Sequence, residues 1–191
     1  LFFSMIFTKK CIDNKKNQLL LEIAKNAIKQ KFDSSIKIDK EKLLKEFPSL
    51  ENLGASFVTL TLDNKLRGCI GTLYANKSLI DDLISNAYGA AFEDPRFYEL
   101  SVEEFEKANI EISILSTPLE LIYKDIEDLK SKIKINIHGV ILEKDGRRST
   151  FLPQVWEQLP TFEEFFSQLC YKGSFETNCL EFNPRIFTYE V

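Results

Sequence analysis

The chain has 191 residues, 44% of them hydrophobic and 28% charged, which suits one domain with a real core, or one domain with a small annex. A net charge of -4 and a pI of about 5.3 argue against a general nucleic-acid surface. No apolar run approaches the roughly 18 residues that a membrane-spanning helix needs.

The opening "LFFSMIFTKK" has a short apolar patch, with no basic residue before it and no small-residue cleavage site. Residues 1–16 read as a tail or strand ahead of one domain over 17–191. From Asn14 to Lys31 the residues Leu20, Ile23, Ala24, Ala27 and Ile28 recur at helical spacing. A short helix follows Asp39 and stops before Pro48. "GASFVTLTLDNKLRGCIGTL" reads as a hairpin with Asp63-Asn64 at its turn. A helix then runs from about Ser78 to Ala91, with Ser78 and Asp81 as a capping box. Asp94-Pro95 breaks it.

"NIEISIL" reads as a strand with Ile110, Ile112 and Ile114 on one face, and "PLELIY" as another. A short helix spans Asp125 to Ser131. "IKINIHGVILEKDGRRSTFLPQVW" gives two or three strands around the Asp145-Gly146 turn. Thr161 and Glu164 make a second capping box, for a helix that ends near Gly173. "RIFTYEV" closes the chain as a strand. A turn at Asp63 leads to a cap at Ser78, and a turn at Asp145 leads to a cap at Thr161. These separations of 15 and 16 residues hint at an architectural repeat. Strands and helices mix without strict alternation, which gives an α+β fold.

Four cysteines stand at 11, 69, 170 and 179, none in C-x-x-C spacing, and the single histidine cannot complete a Cys/His zinc set. With no export signal they are expected as free thiols in a reducing cytoplasm. No metal and no cofactor are expected.

Five arginines stand against twenty lysines: Arg67, Arg96, Arg147, Arg148 and Arg185. All lie in strand ends or loops. The planar guanidinium suits carboxylates or phosphates. Two readings fit: ligand binding, or stapling of loops to acidic side chains and carbonyls.

Cys69 sits between Gly68 and Gly71, which allow a positive φ or a close approach by another group. It reads as a nucleophile if Arg67 or a helix end lowers its pKa, and equally as a small buried hydrophobe. His138 in "NIHGV" is the sole imidazole, a candidate base or a hydrogen-bonded structural residue. Asp81-Asp82 and Glu163-Glu164 sit in first helical turns, where carboxylates suit the dipole.

Four ordered segments, "LRGCIGTL" at 66–73, "AFEDPRF" at 91–97, "IEISILSTP" at 110–118 and "FLPQVWE" at 151–157, together resemble the AMMECR1 family. Tyr98 and Glu99 depart from the prolines the family often carries after "DPRF". The resemblance implies two β/α repeats around a curved, barrel-like mixed sheet. It supplies no reaction and no cofactor. It implies a pathway shared with a Memo-like protein and a radical-SAM enzyme, and this chain has no iron-sulfur cysteine triplet of its own.

The leading expectation is one cleft for a small anionic ligand or peptide. Arg67, Arg96, Asp94 and Arg147 or Arg148 would bind it beside Gly68 and Gly71, with Cys69 and His138 for chemistry. The alternative is an interaction module with Trp156 as a surface anchor for a Memo-like or radical-SAM partner. Nucleic-acid binding is the weakest reading, because no basic stripe interleaves with aromatics.

Overall fold

The computed structural model describes residues 14–191. The expected tail or strand over 1–16 lies largely outside the described residues, as does Cys11. The chain divides into two compact units, one up to Leu115 and one from Ser116 to Val191.

In the first unit α1 (Asn14–Lys29) and α2 (Lys40–Glu46) lead into the hairpin β1 (Leu53–Leu62) and β2 (Lys65–Gly71). Asp39 caps α2 by accepting from the Lys42 N–H at 3.0 Å. Asp63 and Asn64 both have positive φ, 49° and 61°, the two-residue turn whose twist matches that of the flanking strands. A two-residue β3 (Lys77–Ser78) and α3 (Leu79–Phe92) follow, with Ser78 Oγ accepting from the Asp81 N–H at 3.3 Å. Next come α4 (Val102–Lys107) and β4 (Asn109–Leu115). β2 and β4 both pair antiparallel with β1.

Alternation sets the faces. Val58 lies opposite Ile112 and Ile70, and Leu60 opposite Ile110 and Gly68. Against these apolar positions pack Leu20, Ile23 and Ile28 of α1 and Ile80, Leu83 and Ala87 of α3. Each fully buried Leu or Ile contributes roughly 1.5–3 kcal/mol.

The second unit repeats the plan. After β5 (Leu119–Glu120) and α5 (Ile126–Lys132) come the hairpin β6 (Gly139–Lys144) and β7 (Arg147–Phe151), then α6 (Phe162–Lys172) and β8 (Arg185–Tyr189). Asp145 and Gly146 again give a turn with two positive φ values, 50° and 73°. Thr161 Oγ1 accepts from the Glu164 N–H at 3.2 Å to cap α6. β8 pairs antiparallel with β6, as β4 does with β1. Each unit is thus a hairpin, a helix, and a strand that returns to the hairpin's first strand. The described strands form two antiparallel sheets within an α+β fold, and no closed barrel is seen among them.

Three expectations change. Residues 134–138 form a turn, not a strand, because the His138 N–H donates to the Lys134 carbonyl at 2.9 Å. Trp156 is fully buried, stacked on Phe165 at 3.6 Å, with Nε1 donating to the His138 carbonyl at 2.8 Å. It therefore presents no surface anchor. Cys170 and Cys179 form a disulfide, so Cys69 is the free thiol among the described residues.

Candidate functional site

Cys69 lies on β2, whose strand partner among the described residues is β1. Its outer N–H and carbonyl meet side chains where a neighbouring strand's backbone would otherwise bond. Pro95 prevents α3 from continuing, and Asp94 turns back to β2. The Cys69 N–H donates to Asp94 Oδ2 at 2.9 Å, and Arg96 Nη2 donates to the Cys69 carbonyl at 3.2 Å. Arg96 also grips Asp94 through Nε at 2.9 Å and Nη2 at 2.7 Å. Asp94 and Arg96 together therefore clasp one peptide unit.

The Arg96 hydrogen bonds outweigh the cost of burial, and the Cys69 and Arg96 amides assist. They hold the Asp94 carboxyl down at about 2, against an ordinary 3.8. A depressed carboxyl stabilises the fold above its unfolded value, and that stabilisation is lost as pH falls through the folded one. Asp94 should thus supply about 2 kcal/mol above pH 4, fading towards pH 2. Urea titrations of wild type and Asp94→Asn should differ most above pH 4 and converge on acidification. A gap that stays constant between pH 5 and 2 would refute the assignment.

Arg67 lies where the β1–β2 register shifts, opposite no β1 residue. Glu104 receives it twice, from Nε at 2.9 Å and Nη2 at 2.7 Å, and the Glu99 carbonyl receives Nη2 at 3.3 Å. Glu104 is itself fixed by a reciprocal capping box with Ser101 at the start of α4. Arg67 and Arg96 both lie within 6 Å of the Phe97 ring, at 5.8 and 5.5 Å. Both arginines of this unit therefore have their charges matched by internal carboxylates, which is the stapling reading.

The two glycines have packing reasons. Gly68 faces the helices, and a Cβ there would stand 2.0 Å from the Ala90 carbonyl oxygen of α3. Gly71 lies under the Phe57 ring, with 2.2 Å to its nearest atom from the same construction. Close approach, and not positive φ, explains both. Cys69 itself is half-buried, and its sulphur accepts from Thr59 Oγ1 at 3.3 Å. The chain's only histidine belongs to the other unit. Asp94, so strongly held as a carboxylate, is a weak base. The surroundings of Cys69 are those of a braced strand.

His138, Arg147 and Arg148 lie in the second unit. His138 precedes β6, and the two arginines flank its far end, a strand length of about 20 Å away. His138 Nδ1 accepts from the Lys134 N–H at 3.2 Å. Burial, with Lys134 nearby, lowers its pKa against a smaller opposite influence from Glu190. It serves the turn that receives Trp156.

At the hairpin tip Arg147, Arg148, Arg185 and Lys144 line one cavity of about 430 Å³ with Glu143, Asp145 and Gly146. Strand register assembles it. Glu143 lies opposite Arg148 on β7 and opposite Arg185 on β8. Arg148 Nε stands 2.8 Å and Arg185 Nη1 3.7 Å from the Glu143 carboxylate. Arg185 is held from behind by Glu120 at 2.9 and 3.1 Å. The Arg147 guanidinium lies 4.3 Å from the Phe175 ring centroid and donates to the Ser174 carbonyl. Arg185 stood outside the candidate set drawn from the sequence. Only the pairing of the last strand with β6 brings it here.

Among the described residues no group of three or more His, Cys, Asp or Glu side chains is placed to hold a metal ion, and no helix is long and apolar enough to cross a membrane.

The AMMECR1 family profile matches residues 21–191. Protein SSO0193 of Saccharolobus solfataricus is 39% identical over 173 residues, covering 85% of this chain and 73% of that protein. Protein LS215_2104 of Saccharolobus islandicus is 37% identical over 179 residues, covering 88% and 75%. The crystal structure of uncharacterized protein PH0010 from Pyrococcus horikoshii aligns with a TM-score of 0.84 at 29% identity, over 94% of this chain and 90% of that one. The profile spans both hairpin-helix-strand units, and the "LRGCIG" and "DPRF" segments that clasp each other lie within it. The chain belongs to the AMMECR1 family.

Proposed function

We propose that this chain binds a small anion, or the acidic group of a peptide, in the arginine-lined cavity at the β6–β7 tip. The observation that carries this reading is the convergence of three of the five arginines, with Lys144, on one concavity of a chain whose net charge is -4. Four cationic side chains line it against two carboxylates. Guanidinium groups on the strands to either side of β6 suit bidentate contact with carboxylate or phosphate oxygens. The cavity is of a size that small ligands fill. The link to Memo-like and radical-SAM proteins rests on the family resemblance alone and enters no step of this proposal.

Calorimetric titration with pyrophosphate and with citrate tests it. At least one of the two should bind, with affinity falling as salt rises. Arg148→Ala and Arg185→Ala should each weaken binding about tenfold or more, the worth of a charge-assisted hydrogen bond. Absence of binding by either anion, or binding indifferent to both substitutions, would remove the proposal.

A further inference from the structure

The hairpin tip has a second side. Lys144, Asp145 and Arg147 also wall an adjoining cavity of about 270 Å³, lined on its far side by Phe175, Glu176 and Phe182. Phe182 is 60% exposed, so its ring is open to solvent beside this cavity. It ends a 3₁₀ turn, Cys179–Phe182, whose first residue is tied to α6 by the disulfide to Cys170. Asn183 follows in the left-handed region, with φ 47°, so the chain turns sharply there. The ring is therefore presented from an anchored segment. Lys144 Nζ lies 5.7 Å from its centroid.

We infer that the ligand of the arginine cavity is a nucleoside phosphate, with its phosphates among the arginines and its base against Phe182. The inference rests on the anion-binding reading above and narrows it. An exposed phenylalanine offers a stacking face that any base accepts, and the shared wall sets that face next to cationic groups suited to phosphate oxygens. Glu176 supplies the distinguishing chemistry. A carboxylate on the aromatic side disfavours a second anionic group there and accepts from an exocyclic amine, such as that of adenine or cytosine. A ligand with negative charge at one end and a planar, amine-bearing ring at the other matches both cavities.

The test is calorimetry on the full chain with pyrophosphate, ADP, adenosine and phenyl phosphate. ADP should bind about tenfold or more tightly than pyrophosphate, the usual worth of one stacked base. Phe182→Ala should bring ADP down to the pyrophosphate level and leave pyrophosphate unchanged. Equal affinities for ADP and pyrophosphate, unaffected by Phe182→Ala, would overturn this inference and leave the anion site standing. Phenyl phosphate binding as tightly as ADP would overturn the nucleoside class. Adenosine binding as tightly as ADP, or no binding by any of the four, would overturn it together with the phosphate-binding role of the cavity.

Discussion

Gly68→Ala is expected to destabilise the protein by about 3 kcal/mol, the upper end of what an overpacked core position costs. The reason is the identity of the obstructing atom. A Cβ at this position stands 2.0 Å from the Ala90 carbonyl oxygen, and that oxygen is helix backbone, not the movable end of a side chain. Relief requires α3 to move off β2. That would open the contacts that Leu83, Ala87 and Ala90 share with Val58 and Leu60. The second unit shows the alternative arrangement: Ser149, opposite Leu142 on β7, fits a side chain against α6 and donates from Oγ to the Leu169 carbonyl at 2.8 Å. Gly146→Ala is the comparison. Nothing lies within 4 Å of its Cβ position, and only its φ of 73° resists, so its loss should be about 1 kcal/mol. Urea unfolding of the two variants should separate them clearly. A Gly68→Ala protein as stable as Gly146→Ala would mean that α3 is not held where the structure has it.

Asp82→Ala should be at least as damaging, at about 3 kcal/mol or more. Asp82 is fully buried on α3. Its Oδ2 accepts from the Ser56 N–H at 2.8 Å, from Ser56 Oγ at 2.7 Å and from Asn86 Nδ2 at 2.9 Å. Asn86 also donates to the Ser56 carbonyl at 3.0 Å and to Thr72 Oγ1 at 3.2 Å. One carboxylate therefore ties the start of α3 to β1 at a point that water does not reach. Removing it strands buried donors, each at about 1–3 kcal/mol. Asp82→Asn keeps an acceptor oxygen in place and should lose less than Asp82→Ala. Chemical denaturation ranks the three proteins. An alanine variant within about 1 kcal/mol of wild type would show that the donors find other partners.

These two residues also mark where the sequence is readable and where it is not. Turns and caps are local, so Asp63-Asn64, Asp145-Gly146, Asp39, Ser78 and Thr161 could be placed from neighbours a few residues away, and the repeat of hairpin and helix followed from them. Asp82 looked like a carboxylate suited to a helix start. Its partner Ser56 comes from β1, and Asn86, which shares that contact, reaches on to Thr72; no periodicity points to either. α4 escaped because six residues carry little helical pattern, although Ser101 and Glu104 stand in capping-box spacing. Glu104 matters twice, since the same carboxylate holds Arg67.

The candidate site was half legible for a related reason. The arginines were conspicuous by type, but type does not distinguish a staple from a binding group. Arg67 and Arg96 are matched by Glu104 and Asp94, whereas Arg147 and Arg148 line a cavity, Arg148 being paired there with Glu143. Arg185 joins them through strand register, a property of the folded sheet. The enrichment of Trp at binding hot spots makes Trp156 a candidate surface anchor under the interaction-module reading, beside the alternative that it covers the edge of the core. The His138 carbonyl that receives its indole N–H and the Phe165 ring beneath it appear only once β6 and α6 meet.

The clasp of Asp94 and Arg96 on Cys69 carries a consequence for behaviour at high concentration. A border strand with idle amides invites a second molecule to lay its own strand alongside and extend the sheet into a growing stack. Here the rung at Cys69 is already occupied by a carboxylate and a guanidinium from the same chain, so an incoming copy finds no place to begin at that rung.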